Sequence, residues 1–203
     1  MKIVACINAF NEELFLPLCL SSLRNKVDKI VIVDGAYQDF PSNSCYSTDD
    51  TLKIAQRFGC KIITNTKFWK DEIEKRNIYL DYVSTHFSDN DYILVIDSDE
   101  IISEEFPKVL DKEAYYIKQV RFNLPASKEI RLFRNQNGLH YSGTHNAIFI
   151  GDRLLNKEKW QTLEEPIFYH LTNVRSPERI EAKGEYINKL KEKEKKFREE
   201  FHL

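Results

Sequence analysis

The hydrophobic pattern changes period several times along the chain, and each change predicts an element. Lys2 to Ile7 is a strand-like run, and Asn8-Ala-Phe-Asn-Glu-Glu follows as the turn at its carboxyl end. Leu14, Phe15, Leu18, Cys19 and Leu23 then recur at helical spacing, with Pro17 tolerated in a first turn, so a helix is predicted from Leu16 to Leu23. Lys29 to Val33 is a second apolar run, ending in Asp34-Gly35. Ala36 to Ser47, with Pro41 and several Ser and Asn, predicts an irregular loop. It closes on Ser47-Thr-Asp-Asp-Thr, where a hydroxyl or carboxylate caps a helix that runs to Phe58 and stops at Gly59. Lys61 to Thr64 makes a third short strand. Phe68 to Ser84 sets Trp69, Ile73, Ile78, Tyr79, Tyr82 and Val83 among charges, an amphipathic helix.

That helix leads to the stretch on which the chain turns, Tyr92 to Glu100, Tyr-Ile-Leu-Val-Ile-Asp-Ser-Asp-Glu. The apolar residues Ile93 to Ile96 predict a strand covered on both faces. It runs straight into the carboxylates of Asp97, Asp99 and Glu100, which repel one another and are best tolerated around a divalent cation. Oxygen ligation favours Mg or Mn over Zn. A second Asp-x-Asp, Asp89 and Asp91, precedes the apolar run inside Ser-Asp-Asn-Asp and predicts a turn feeding the strand. Position separates the pairs, because open α/β sheets bind ligands at the carboxyl ends of their strands.

Four strands alternating with helices predict an α/β domain with a mainly parallel sheet and right-handed crossovers. After Glu100 the pattern shifts to mostly β. A short helix is predicted over Glu104 to Leu110, then strands at Ala114 to Phe122, Ile130 to Phe133, Ala147 to Ile150 and Ile167 to His170. This half carries His140, His145 and His170. Ser176-Pro177-Glu178 opens a charged amphipathic helix over 176–203, its Lys and Arg nearly balanced by Glu. That balance argues against a polybasic membrane anchor and for packing on its own domain or in a homodimer.

Composition narrows the function classes. A formal charge of -2 over 203 residues gives no basic balance for nucleic acid. The amino terminus passes directly into a strand and lacks a signal-peptide pattern, and no segment approaches the ~20 apolar residues of a membrane span. A cytoplasmic location is expected, with peripheral membrane attachment as a variant. Cys6, Cys19, Cys45 and Cys60 show no Cys-x-x-Cys spacing, so free thiols are expected, without a zinc site or redox pair. Neither Gly-x-Gly-x-x-Gly nor a Walker lysine loop is present, so phosphates must be held by something other than a glycine cradle.

Read in order, Asn11-Glu12-Glu13 with Leu20-Ser-Ser-Leu23, Val31-Ile-Val-Asp34-Gly35, Ser47 to Thr51, Lys75-Arg76-Asn77 and Val95-Ile-Asp97-Ser98-Asp99-Glu100 resemble a GT-A fold glycosyltransferase of the inverting family two. Ile130-Arg131-Leu-Phe-Arg134, Gly143-Thr-His145-Asn146 and Tyr169-His170 resemble its lipopolysaccharide-core-type branch. The resemblance implies a GT-A domain over 1–175, with a nucleotide-binding half at 1–100 and an acceptor-side half at 101–175. It implies a metal-dependent transfer of sugar from a UDP- or GDP-linked donor to a glycan, lipid or protein hydroxyl, with inversion. Ala9, Asn11, Glu12, Asp34, Arg76, Asp97 and Ser98 would bind the nucleotide sugar, Asp34 accepting from the base. Asp97, Asp99 and His170 would hold Mn or Mg. Arg131 and Arg134 would touch a phosphate or the acceptor, or else flank a strand that packs Leu132 and Phe133 inside.

Two departures stand out. Where that branch commonly carries glutamate after the histidine, this chain has Asn146, which cannot take a proton, so the catalytic base falls to His145, to Glu100 or to the Glu164-Glu165 pair. The loop 36–47 is long where relatives turn tightly. Two other classes remain open. A non-catalytic nucleotide-sugar-binding scaffold would also lack a base. An Asp-x-Asp phosphotransferase would need its acidic pair after the first strand of its core, whereas here the pair follows the fourth.

Overall fold

The computed structural model describes residues 1–38, 40–144, 147–155 and 160–171, together with Glu181 and Gly184. His145, Asn146 and nearly all of the helix read over 176–203 lie outside the described residues. The first half builds a parallel sheet from β1 (Ile3–Ala9), β2 (Lys29–Asp34), β3 (Lys61–Ile63) and β4 (Tyr92–Val95), in spatial order β3-β2-β1-β4. Between them run α1 (Leu16–Leu23), α2 (Thr51–Arg57) and α3 (Glu72–His86). Because strand side chains alternate, Ile3, Ala5 and Ile7 of β1 join Leu16, Cys19, Leu20 and Leu23 of α1 in one core. Val4 and Cys6 join Tyr79, Leu80 and Val83 of α3 in the other. The apolar run of β4 is split the same way, Tyr92 and Leu94 to the first core, Ile93 and Val95 to the second. Helices therefore cover both faces, and a polar residue in that run would be buried whichever way it pointed.

The second half contributes β5 (Glu100–Ile102), β6 (Ala114–Arg121), β7 (Ser127–Arg134), β8 (Leu139–Tyr141), β9 (Ile148–Ile150), β10 (Arg153–Leu154) and β11 (Gln161–His170). Read from sequence as a separate smaller β region, most of it instead extends the main sheet to eight strands, β3-β2-β1-β4-β7-β6-β11-β5. The β6–β7 hairpin docks antiparallel on the free edge of β4 through β7, which needs no crossover helix. β11 then runs parallel to β6 and antiparallel to β5. The remaining strands form a small antiparallel sheet, β10-β9-β8, whose Tyr141 and Ile148 share the core of α3.

Two local expectations change. Glu104 to Leu110 is not helical: Pro107 disfavours the α region at Phe106 and donates no hydrogen bond, and the segment instead plugs Phe106 and Leu110 into the first core. α3 begins at Glu72 and not Phe68, because the Asp71 side chain accepts from Glu74 N at 2.8 Å and caps it there. Trp69 stays outside the helix, bridging Tyr37 as a strand-like pair. Of the hydroxyls and carboxylates offered by Ser47 to Thr51, it is the Asp49 carboxylate that meets Thr51 N, at 3.0 Å, while Ser47 binds Asp34.

Candidate active site

The acidic tip is a tight turn between β4 and β5. Glu100 N donates to Asp97 O at 3.0 Å, and Asp97 N donates back to the Glu100 carboxylate at 2.8 Å. Antiparallel pairing of β11 with β5 puts His170 opposite Glu100, and Leu171 N donates to Asp99 O at 2.8 Å. A histidine 71 positions beyond Asp99 is thereby delivered by backbone register to the tip. One ligand atom from each of Asp97, Asp99 and His170 lies within 4.8 Å of the others, with His170 Nε2 3.9 Å from Asp99 Oδ1. Asp99 is buried, while the Asp97 side chain is 32% exposed and opens the group to solvent. Two carboxylates and one imidazole suit Mn or Mg, the imidazole leaning toward Mn, so the residues present fit the implied cation.

Two arginines brace the tip. Arg131, on β7, reaches Glu100 at 3.2 Å, Asp97 at 3.4 Å and Glu129 at 2.9 Å. Arg76, on α3, lies 2.7 Å from Glu72, 3.1 Å from Tyr79 Oη and 3.6 Å from Asp97, with the Tyr141 ring 5.4 Å from its guanidinium carbon. Arg76 thus pairs with Glu72 one turn back along α3 and approaches Asp97 at the same time. Glu100 has no exposed surface and also accepts from Gln119 Nε2. Burial pushes its carboxyl up to about 8; Asp97 and Asp99 push the same way and Arg131 opposes them.

The adjoining edge lies one strand over, where Ala9 pairs with Asp34. Asp34 is fully buried, and both its oxygens are engaged by Ser47, one by the backbone N–H at 3.0 Å and one by the hydroxyl. Burial raises its pKa, against the lowering effect of those Ser47 bonds and of Lys75. The segment from Ser47 to Thr51 is laced to the turn after β1. Asn11 N donates to Ser47 Oγ at 2.8 Å, Thr48 N to Asn11 Oδ1 at 2.8 Å, and Glu12 N to Thr51 Oγ1 at 2.7 Å. Asn11 takes a positive φ of 51°, which asparagine tolerates. Trp69 Nε1 donates to Asp34 O at 2.8 Å, closing the other side.

The structure thus brings Asp97, Ser98, Asp99, Glu100, His170, Arg76 and Arg131 to one tip, with Ala9, Asn11, Glu12 and Asp34 along the adjoining edge. Arg134 does not join them. It pairs with Tyr92 at the amino end of β4, donating to Tyr92 Oη at 3.0 Å, because β7 runs antiparallel and carries it to the far edge, roughly 15 Å of strand away from the tip. Glu165 is likewise remote, accepting from Ser103 Oγ at 2.8 Å. Asp91, of the other Asp-x-Asp, serves the turn, accepting from Lys2 N at 2.7 Å and Ser88 N at 3.0 Å. Sequence reasoning gave no role to Gln119, Glu129 or Asn77. Gln119 carried a signal, a polar residue on the inward side of an alternating strand. Asn77 trades hydrogen bonds with the Tyr141 backbone at 3.0 and 2.7 Å, tying α3 to β8, and nothing local announces that.

The family model described as Glycosyl transferase family 2 matches residues 4–156. An uncharacterized glycosyltransferase of Rickettsia felis is 33% identical over 116 residues, covering 57% of this chain and 34% of the relative. One from Rickettsia typhi is 25% identical over 176 residues, covering 77% of this chain and 54% of the relative. The chain therefore spans about a third to a half of the length of these curated relatives. Staphylococcus aureus TarS superposes with a TM-score of 0.59 at 14% identity, over 84% of this chain and 36% of TarS. TarS 1–349 in complex with UDP-GlcNAc gives the same score and identity, over 87% of this chain and 62% of that one. At such identity the likeness shows the fold, an α/β GT-A architecture.

Proposed function

Because the chain belongs to glycosyl transferase family 2, we propose that it moves a sugar from a nucleotide-diphosphate donor to an acceptor hydroxyl, with inversion, at the edge running from Asp34 to His170. The observation that carries this is the convergence of Asp97, Asp99 and His170 within 4.8 Å at the carboxyl end of β4, beside the turn that follows β1. The UDP-GlcNAc complex of TarS 1–349 supports a nucleotide sugar as the donor class.

Asp97, Asp99 and His170 would hold Mn or Mg, which when bound neutralises charge building up on the leaving diphosphate. Arg76 and Arg131 orient Asp97 from two sides and add positive potential where that charge develops. Asn11 and Glu12 shape the nucleoside wall through their bonds to Ser47 and Thr51. Asp34 has no exposed surface, so it acts on the base indirectly, through the Ser47 N–H and hydroxyl that it holds. Glu100, proposed from sequence as a base, is enclosed by Asp97, Gln119 and Arg131 and serves to fix the turn; a base must reach the acceptor hydroxyl. His145 remains the residue proposed to accept the proton.

A thermal-shift screen of UDP- and GDP-linked sugars with Mn or Mg tests the proposal. One nucleotide class plus metal should raise the wild-type Tm by about 5–10 °C at ligand ~100-fold above Kd. Asp99→Ala should lose that response, and equal shifts in the two proteins would remove Asp99 from the site. Sugar-nucleotide hydrolysis separates an enzyme from a binding scaffold: slow Mn-dependent hydrolysis is expected without acceptor, and none in Asp99→Ala.

A further inference from the structure

Lys75 is almost fully buried, at 1% exposure, in a class of residue that proteins rarely bury. Its Nζ donates to Ala9 O at 2.7 Å and to Gly35 O at 2.7 Å, and the Tyr37 ring lies 5.2 Å away, so two carbonyls and an aromatic face surround the ammonium. Ala9 O also accepts from Gly35 N at 3.0 Å. Three hydrogen bonds therefore close a small ring at the point where β1 and β2 leave the sheet.

We propose that Lys75 is a positioning residue for nucleotide binding: it pins the carboxyl ends of β1 and β2 to α3 and so fixes the nucleotide edge relative to the acidic tip. The proposal rests on the nucleotide-sugar reading of this edge. Both carbonyls it grips belong to that edge, Ala9 before Asn11 and Gly35 after Asp34; the Ala9 methyl closes the first core, and Gly35 lies outside both cores. The next residue, Arg76, approaches Asp97 at 3.6 Å, and the one after, Asn77, holds Tyr141. Successive residues of a helix point about 100° apart, so three neighbours on α3 hold the ends of β1 and β2, the acidic tip and β8 in turn. An apolar side chain would fill the same space without desolvating a charge, which makes a purely structural role a costly use of lysine. Burial lowers the Lys75 pKa to about 7, with Asp34, Glu72 and Glu12 favouring its charge and Arg76 opposing it.

The experiment compares wild type with Lys75→Met and Lys75→Gln in two titrations. The first measures Mn binding alone by the EPR signal of free Mn; the second measures UDP and GDP binding with Mn present by calorimetry. Mn affinity should stay within about twofold in both variants, because Lys75 touches none of Asp97, Asp99 and His170. Nucleotide affinity should fall about tenfold or more in Lys75→Met and less in Lys75→Gln, which keeps a donor. Nucleotide binding as tight as wild type in a variant that still binds Mn would overturn the positioning role. So would parallel loss of Mn and nucleotide in both variants, which would make Lys75 a general packing residue. If wild type binds Mn but neither nucleotide, the nucleotide-sugar reading itself falls, and this inference with it.

Discussion

At the acidic tip, Glu100 sets a pH dependence for the stability of the fold. As one more carboxylate in an acidic cluster it looked like a candidate for proton transfer, yet it has no exposed surface and its two oxygens meet Asp97 N, Gln119 and Arg131. Its carboxyl is pushed from 4.5 up to about 8 by burial first and by its acidic neighbours second. The folded protein then binds a proton that the unfolded chain gives up, so the contribution to stability is full below about 4.5 and lost as pH rises through about 8. Lys75 works in the other window. Its value drops from 10.5 to about 7, the unfolded chain holds the extra proton between them, and stability gains from this group as pH rises over that range. Metal-free wild type should thus lose Tm between pH 5 and 8 relative to Glu100→Gln, whose slope in that window is expected to be flatter. Parallel Tm curves for the two proteins would remove Glu100 as the source of the slope.

At the scale of elements, the loop over 36–47 is a built part of the edge formed by the ends of β1 and β2. Ala36 N donates to Cys45 O at 3.1 Å, Trp69 N to Ala36 O at 3.0 Å and Gln38 N to Trp69 O at 2.8 Å, so the loop is stitched at its base to the segment before α3. Gly35 is the hinge of this arrangement, with φ at +129° and room for nothing larger: a Cβ there would sit 2.5 Å from Cys45 O and 2.8 Å from Trp69 Nε1. Gly35→Ala should cost roughly 2–4 kcal/mol in urea unfolding, from backbone strain and the clash together. A cost within ~0.5 kcal/mol would show that the loop yields freely. None of this stitching was legible in the sequence, because it depends on which backbone groups of distant segments meet. What was legible had a period. The apolar runs of β1, β2 and β4 and the stripe of α1 announced themselves because each is buried along a regular face. The segment 104–110 has buried apolar residues at helix-like spacing, Phe106 and Leu110, but Pro107 between them decides against a helix.

At the scale of the molecule, the site is assembled from both halves of one continuous sheet, and this is why the residue pattern announced only Asp97 and Asp99 of the three candidate ligands, while His170 was named by the family resemblance alone. Asp97 and Asp99 sit at the end of an apolar run that any reading of the chain would stop at. His170 reaches them only because β11 slots between β6 and β5, a spatial order that skips far along the chain and leaves no periodic trace. The same topology gives a test that reports on the site without measuring turnover. A cation held by Asp97, Asp99 and His170 would clamp β5 to the end of β11, where Phe168, Tyr169 and His170 pair with Ile102, Ile101 and Glu100. Adding Mn should therefore slow hydrogen exchange at amides of Glu100–Ile102 and at Leu171, whose N–H donates to Asp99 O. Exchange at β3, Lys61–Ile63, on the opposite edge of the sheet, should change little. In His170→Ala the protection at β5 should be lost or require far more Mn. Equal slowing at β3 and β5, or full protection in the variant, would mean that the cation acts through general stabilisation and that His170 takes no part in holding it.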